Sequence, residues 1–244
     1  MRIRHVVTAV FLAVLTPVAT GVAVLVHPQP AFAYYVQSGR LRLSLYSDKP
    51  FDIAKSNALL ADVYRRLRLA SLYNGDGEHR IFVANSYWRA RLVFLWNFGA
   101  GGVNYYPLTR NVFIRESDID NDRVLRTAGP VPPPRTLAYY AAHEIAHSLA
   151  GEAVGPIAYH SLPAWIREGV ADYIGMAQPV DFKNLVERLR AGDPELDPKR
   201  SGLYLRYRLL VSYFIDHEHW SLEQLLASPM PQAEAEARML AAFN

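Results

Sequence analysis

The chain has no cysteine among its 244 residues. That absence excludes disulfides, a thiolate nucleophile, cysteine-ligated zinc and iron–sulfur clusters, so stability must come from the core. A charge surplus is also missing. Arg2 and Arg4 are the only Lys, Arg, Asp or Glu residues before Tyr34, and beyond them 24 basic residues stand against 23 acidic ones. This balance leaves no electrostatic footprint for nucleic acid. Arg65, Arg66 and Arg68 cluster on one predicted helix and read as a solvated face. No internal repeat is present, and nothing marks a second domain. The one glycine-rich stretch, Gly99-Ala100-Gly101-Gly102, lacks the Lys-Ser/Thr that a phosphate-cradling loop needs.

What the chain does have begins with a basic start, Met1 to His5, followed by 21 residues without charge from Val6 to Val26. Ala31-Phe32-Ala33 follows, an A-x-A pattern for signal-peptidase cleavage with Tyr34 as the first mature residue. The uncharged run is also long enough to stay in a bilayer as an anchor and so associate the protein with a membrane. Either way residues 1–33 are an export segment, and residues 34–244 form one domain that is periplasmic or extracellular. Its hydrophobic content of 51% and charged content of 20% are those of a folded protein.

Within that domain the periodicities predict an α+β fold, with a small N-terminal sheet and a mainly helical C-terminal part. Alternation predicts a strand over 36–46, and apolar spacing predicts a helix over 54–72. A short strand follows at 80–84, a helix at 87–95 with Ser86 as its cap, and a strand at 111–116. Helices are expected at about 182–190, 203–216, 222–227 and 231–242, the third opening on a Ser221/Gln224 capping box.

The chemistry is concentrated in His143-Glu144-Ile145-Ala146-His147. The stretch 136–150 contains no Pro or Gly and ends at Gly151, a natural residue to follow a helix. On that helix His143 and His147, four apart, share one face and can offer two imidazoles to one metal ion, while Glu144 sits one position round. A catalytic zinc takes three protein ligands and keeps a place for water. Glu168 is the best-placed third donor, in a second helix that opens at Leu162-Pro163 and runs to about Met176. Glu144 is then left beside the water as a base, and a single Zn²⁺ ion is the expected cofactor.

His143 to His147 together with Leu162-Pro163-Ala164-Trp165-Ile166-Arg167-Glu168-Gly169 resembles the gluzincin metallopeptidases, the thermolysin-like group, and within it the compact peptidase MA-like branch. The resemblance implies a zincin-like domain, His143, His147 and Glu168 as zinc ligands, Glu144 as general base, and a peptide or protein substrate. It further implies that Asp172 accepts a hydrogen bond from a ligand histidine, His143 foremost, and that a Tyr at the start of a C-terminal helix, Tyr204 ahead of Tyr207, stabilises the oxyanion. The strand near 111–116 would be the sheet edge above the metal. Gly102 stands where gluzincin aminopeptidases carry a Glu, which speaks against that subclass. A third His ten residues after the first, the metzincin pattern, is replaced by Ala153. His160 is the alternative ligand, and Trp165 reads as packing. The competing function is a zinc-stabilised binding or scaffold domain of the cell envelope that performs no catalysis.

Overall fold

The computed structural model describes residues 19–126 and 129–243. The basic start and most of the uncharged run therefore lie outside the described residues. Among the described residues no helix is long and apolar enough to cross a membrane.

The fold is α+β. Strands β1 (Tyr34–Ser38) and β2 (Leu43–Ser47) form an antiparallel hairpin, where alternation alone had suggested one strand over 36–46. The chain reverses at residues 39–42, with Arg42 at a positive φ of 52°. Leu41, Leu43 and Leu45 keep the same alternation through the turn, so periodicity does not register the break. Helix α1 (Ile53–Leu67) crosses to β3 (His79–Val83), which lies parallel to β2. Helix α2 (Tyr87–Phe94) and the three-residue β4 (Gly102–Asn104) precede β5 (Val112–Ile114). The sheet order is β1-β2-β3-β5-β4, with β5 parallel to β3 and antiparallel to β4.

Period-2 alternation divides the sheet into two faces. Leu43, Leu45, Ile81, Val83, Val112 and Ile114 belong to the main core together with Leu59, Leu60, Val63 and Leu67 of α1. Phe82 and Phe113 point the other way and join Val93 and Phe94 of α2 in a second core, which Leu25 and Phe32 from the N-terminal segment complete. Residues 19–26 are helical. Their end is fixed by Asn111, whose side-chain amide donates to the carbonyls of Leu25 (2.8 Å) and Val26 (3.1 Å). Ser86 occupies the N-cap position of α2, but its side chain makes no cap hydrogen bond. The carboxylate of Asp48 instead accepts from the backbone N–H groups of Asn85 (2.7 Å) and Ser86 (2.9 Å).

After a small ribbon, β6 (Ser117–Asp118), β7 (Arg123–Arg126) and β8 (Gly129–Pro130), the chain becomes helical. Thr136 caps α3 (Leu137–Val154) by accepting from the Tyr139 N–H at 3.2 Å. Gly151 does not end this helix; the helix continues to Val154 and ends at Gly155. Gly151 serves a packing need instead, since a Cβ there would stand 2.3 Å from the Tyr106 ring. Ala138, Ala141, Ala142, Ala146 and Ala150 are all buried and let α3 sit deep in the core.

A single tight helix, α4 (Pro156–Ser161), leads to α5 (Ala164–Met176). Helices α6 (Phe182–Arg190), α7 (Leu205–Ser212), α8 (Leu222–Ala227) and α9 (Gln232–Ala242) close the domain. The Ser221/Gln224 capping box is formed, and the expected helix over 203–216 divides into α7 and a π-turn, Tyr213–His217. Trp165 is buried, with its ring 6.0 Å from that of Phe214 and its N–H donating to the Met230 carbonyl at 3.0 Å, which makes it a packing residue.

One charged side chain departs from expectation. Arg66 of α1 is buried rather than solvated. It bonds to Asp62 at 2.9 Å and donates to the carbonyls of Gly175 and of Met176 (3.3 Å) at the C-terminal end of α5. A guanidinium is favoured there because the last turn of a helix leaves carbonyls without partners and carries negative partial charge.

Candidate metal centre

Two helices supply the centre. His143 and His147 lie one turn apart on α3, and Glu168 lies on the second turn of α5, which packs against α3. Glu168 Oε2 is 3.6 Å from His143 Nε2 and 3.9 Å from His147 Nε2. One donor atom from each of the three side chains falls within 4.8 Å of the others, so the group could hold a metal ion. The electrostatics fit a cation. Burial pushes the His147 imidazole down to about 4, leaving it neutral near pH 7. Burial would raise Glu168, but the bond from His143 and the charges of both histidines outweigh it and hold the carboxyl down at about 2. Burial opposes the charged form of His143, but its bond to Glu168 and the charges of Glu144 and Glu168 outweigh this and raise it above the ordinary imidazole value. A metal requires neutral imidazole and ionised carboxylate, so its binding would displace the His143 proton.

Glu144 belongs to the centre without belonging to the donor set. It is buried beside the histidines, and its burial pushes the carboxyl up to about 7, with His143 opposing and Glu168 reinforcing the shift. Its place is shaped by the sheet. A Cβ on Gly102 of β4 would lie 2.8 Å from both Cγ and Oε1 of Glu144. β4, rather than the strand at 112–114, is the last strand of the sheet: β5 is enclosed between β3 and β4. The expected edge is thus displaced by one strand, and the glycine-rich stretch before it forms the rim of the cleft. That cleft has a volume of about 450 Å³, with Gly99, Gly102, Asn104, Tyr159 and Tyr204 in its wall beside the metal-binding group.

Two tyrosines, Tyr204 and Tyr159, adjoin the donor group. Tyr204, the residue before α7, stacks on His143 with ring centroids 5.8 Å apart and planes 11° apart. Burial, followed by the charge of Glu168, raises its phenol well above the usual value, so it remains a proton donor at neutral pH. Tyr207 stacks behind Tyr204 at 6.0 Å and is not part of the cleft wall. Tyr159, on α4, places its hydroxyl 2.7 Å from His147 Nδ1. His160, its neighbour, turns away and bonds the Tyr106 carbonyl at 3.2 Å, outside the donor group.

Asp172 has partners other than the expected one. Its Oδ1 accepts from the Tyr139 hydroxyl at 2.5 Å and its Oδ2 lies 3.7 Å from Arg208 Nε. His143 Nδ1, also buried, has no hydrogen-bond partner. The acid one turn after Glu168 is therefore bonded to Tyr139, with Arg208 only as a nearby charge; its Oδ2, like His143 Nδ1, is buried without a hydrogen-bond partner, and no bond joins the two.

The sequence missed Tyr159. It lies 12 residues beyond His147 across the Gly155-Pro156 turn, so no helical spacing connects the two. Comparison of the chain with protein-family models, curated proteins and solved structures gave no match, and the family resemblance rests on the motifs around His143 and Glu168 alone.

Proposed function

We propose that the protein is an exported zinc-dependent peptidase of gluzincin type. The observation that carries the reading is a buried carboxylate, Glu144, set beside a His143/His147/Glu168 donor group to which it contributes no ligand atom. A structural zinc site is usually closed by four ligands and has no chemical use for such a group.

Bound by the two imidazoles and Glu168, zinc would supply Lewis acidity toward a peptide carbonyl and acidify water near neutral pH. Glu144 takes the proton of the attacking water on its carboxylate and returns it to the departing nitrogen. A carboxyl poised near 7 suits both steps, because a base works best when its pKa lies near the working pH. The Tyr204 hydroxyl, kept protonated by its surroundings, donates to the oxyanion that develops. The outer side of β4 has no strand partner among the described residues, which suits it to pair with an extended peptide running past Glu144.

The test is a pair of measurements on the full chain in detergent: metal content, and cleavage of a peptide library with and without a chelator. Glu144→Gln should keep near-stoichiometric zinc and lose on the order of 10²–10⁴ in turnover. A wild-type protein that binds zinc and cleaves nothing would favour the scaffold reading, and a Gln variant as fast as wild type would overturn the mechanism.

A further inference from the structure

Residues 79–115 contain five arginines and no acidic side chain. Helix α2 lies within this stretch. Its inner side, Val93 and Phe94, seals the back of the sheet. Its outer side bears Tyr87, Trp88 and Leu92, and Trp96 follows close after its last turn; all four are exposed, the two tryptophans at 78% each. Positions 87, 88, 91 and 92 occupy one continuous arc of a helix. Arg91, also exposed, lies on that arc, with its guanidinium 4.3 Å from the Phe98 ring centre and 5.7 Å from that of Tyr87. Single exposed apolar residues are ordinary, whereas a contiguous aromatic group signals a contact surface. Trp and Tyr with an adjacent Arg is the composition that sits at the level of phospholipid headgroups.

A separate observation identifies what covers this surface. The uncharged run 6–26 joins the domain beside α2. Leu25 and Phe32 share the second core with Val93 and Phe94, and Arg89 of α2 donates to the Ala31 carbonyl at 2.5 Å. None of residues 19–24 is buried, so the helical segment turns inward only at Leu25. A run long enough to span a bilayer thus reaches the domain against the same helix that displays the aromatic arc.

From this juxtaposition we infer that α2 and Trp96 lie in the headgroup layer of the phospholipid bilayer that holds the uncharged run ahead of Leu25, with Arg91 at the lipid phosphates. The chain after Trp96 is the rim of the metal cleft, since Asn97, Gly99 and Gly102 line it. The cleft therefore opens next to the membrane surface. This placement holds whatever reaction the cleft performs.

The lack of cysteine makes the test direct. Single-cysteine full-length chains, Trp88→Cys, Leu92→Cys and Trp96→Cys, are spin-labelled and reconstituted in vesicles of phosphatidylcholine with about one-third phosphatidylglycerol. Asn57→Cys, exposed on α1 at the opposite face of the sheet, is the control. Labels at 88, 92 and 96 should collide more with oxygen than with a water-soluble nickel chelate, while the label at 57 keeps the reverse preference. If the labels at 88, 92 and 96 all behave like that at position 57, the inference is wrong. Spin–spin broadening at position 92 in dilute detergent would also overturn it, by showing that a second copy of the chain covers the arc.

Discussion

The Tyr159 hydroxyl lies 2.7 Å from His147 Nδ1, while His147 Nε2, on the other side of the ring, faces Glu168. One imidazole is thus held between a phenol and a carboxylate. When Nε2 serves as a metal ligand, Nδ1 carries the proton and donates it to the phenol oxygen, which fixes both tautomer and ring plane.

Removing that hydroxyl isolates the effect. Tyr159→Phe preserves the ring and its 5.7 Å edge contact with Tyr106. Metal affinity, measured by competition with a chelator, should fall about 10- to 100-fold with unchanged circular dichroism. Undiminished affinity would show that the 2.7 Å contact does nothing to orient His147.

Gly102→Ala tests the wall behind Glu144. The added methyl would meet Glu144 and, at 2.9 Å, Ile114 Cδ1. Displacing Glu144 should lower peptide turnover by about 10- to 100-fold, since a misplacement near 1 Å has that scale of effect. Metal content should stay at the wild-type level because neither contact is with a donor residue. Loss of metal in step with turnover would mean that the whole centre has shifted.

Asp172→Ala should act mainly on stability. The change strips Tyr139 of its acceptor and leaves the Arg208 charge, on a side chain only 12% exposed, without its neighbouring carboxylate. Breaking a buried charged pair in this way costs about 3–5 kcal/mol, which urea denaturation would detect. A variant with normal stability and weakened metal binding would restore Asp172 to the role that the motif suggests.

Arg66→Met removes the guanidinium that closes the end of α5. A loss of about 2 kcal/mol is expected from its charged hydrogen bonds. Its partner Asp62 adds a pH dependence. Burial alone would raise the Asp62 carboxyl, but bonds from Arg66 and Arg65 outweigh this and hold it below its ordinary 3.8. The lowered folded-state value makes the ion pair's contribution complete above the unfolded value and lost as pH falls through the folded one. Wild type should therefore exceed Asp62→Asn in urea midpoint at about pH 6, and the gap should close in acid. A gap that does not vary with pH would assign the effect to packing.

The sequence made the donor group legible because its members obey helical spacing. His143 and His147 share a face, and the Pro163 start places Glu168 on the neighbouring helix. Interactions that depend on tertiary approach were hidden. Arg66 resembled a solvated charge because the carbonyls it serves lie more than 100 residues away. Asp172 has the expected offset from Glu168, yet its Oδ1 is taken by Tyr139 of α3, and only the Arg208 charge of α7 approaches its Oδ2. β4 is three residues long and starts at a glycine, too short to show a period, so the edge was assigned to the more apolar strand beside it.

The fit of Gly102 against Glu144 also constrains how such a sequence can diverge. While the carboxylate keeps its present place, position 102 has no room for even a methyl group. A lineage that enlarged the glycine while keeping the acid would have to move that carboxylate from its present place. A descendant with a bulky residue at 102 would then reveal the abandonment of this arrangement, even if both histidines survived.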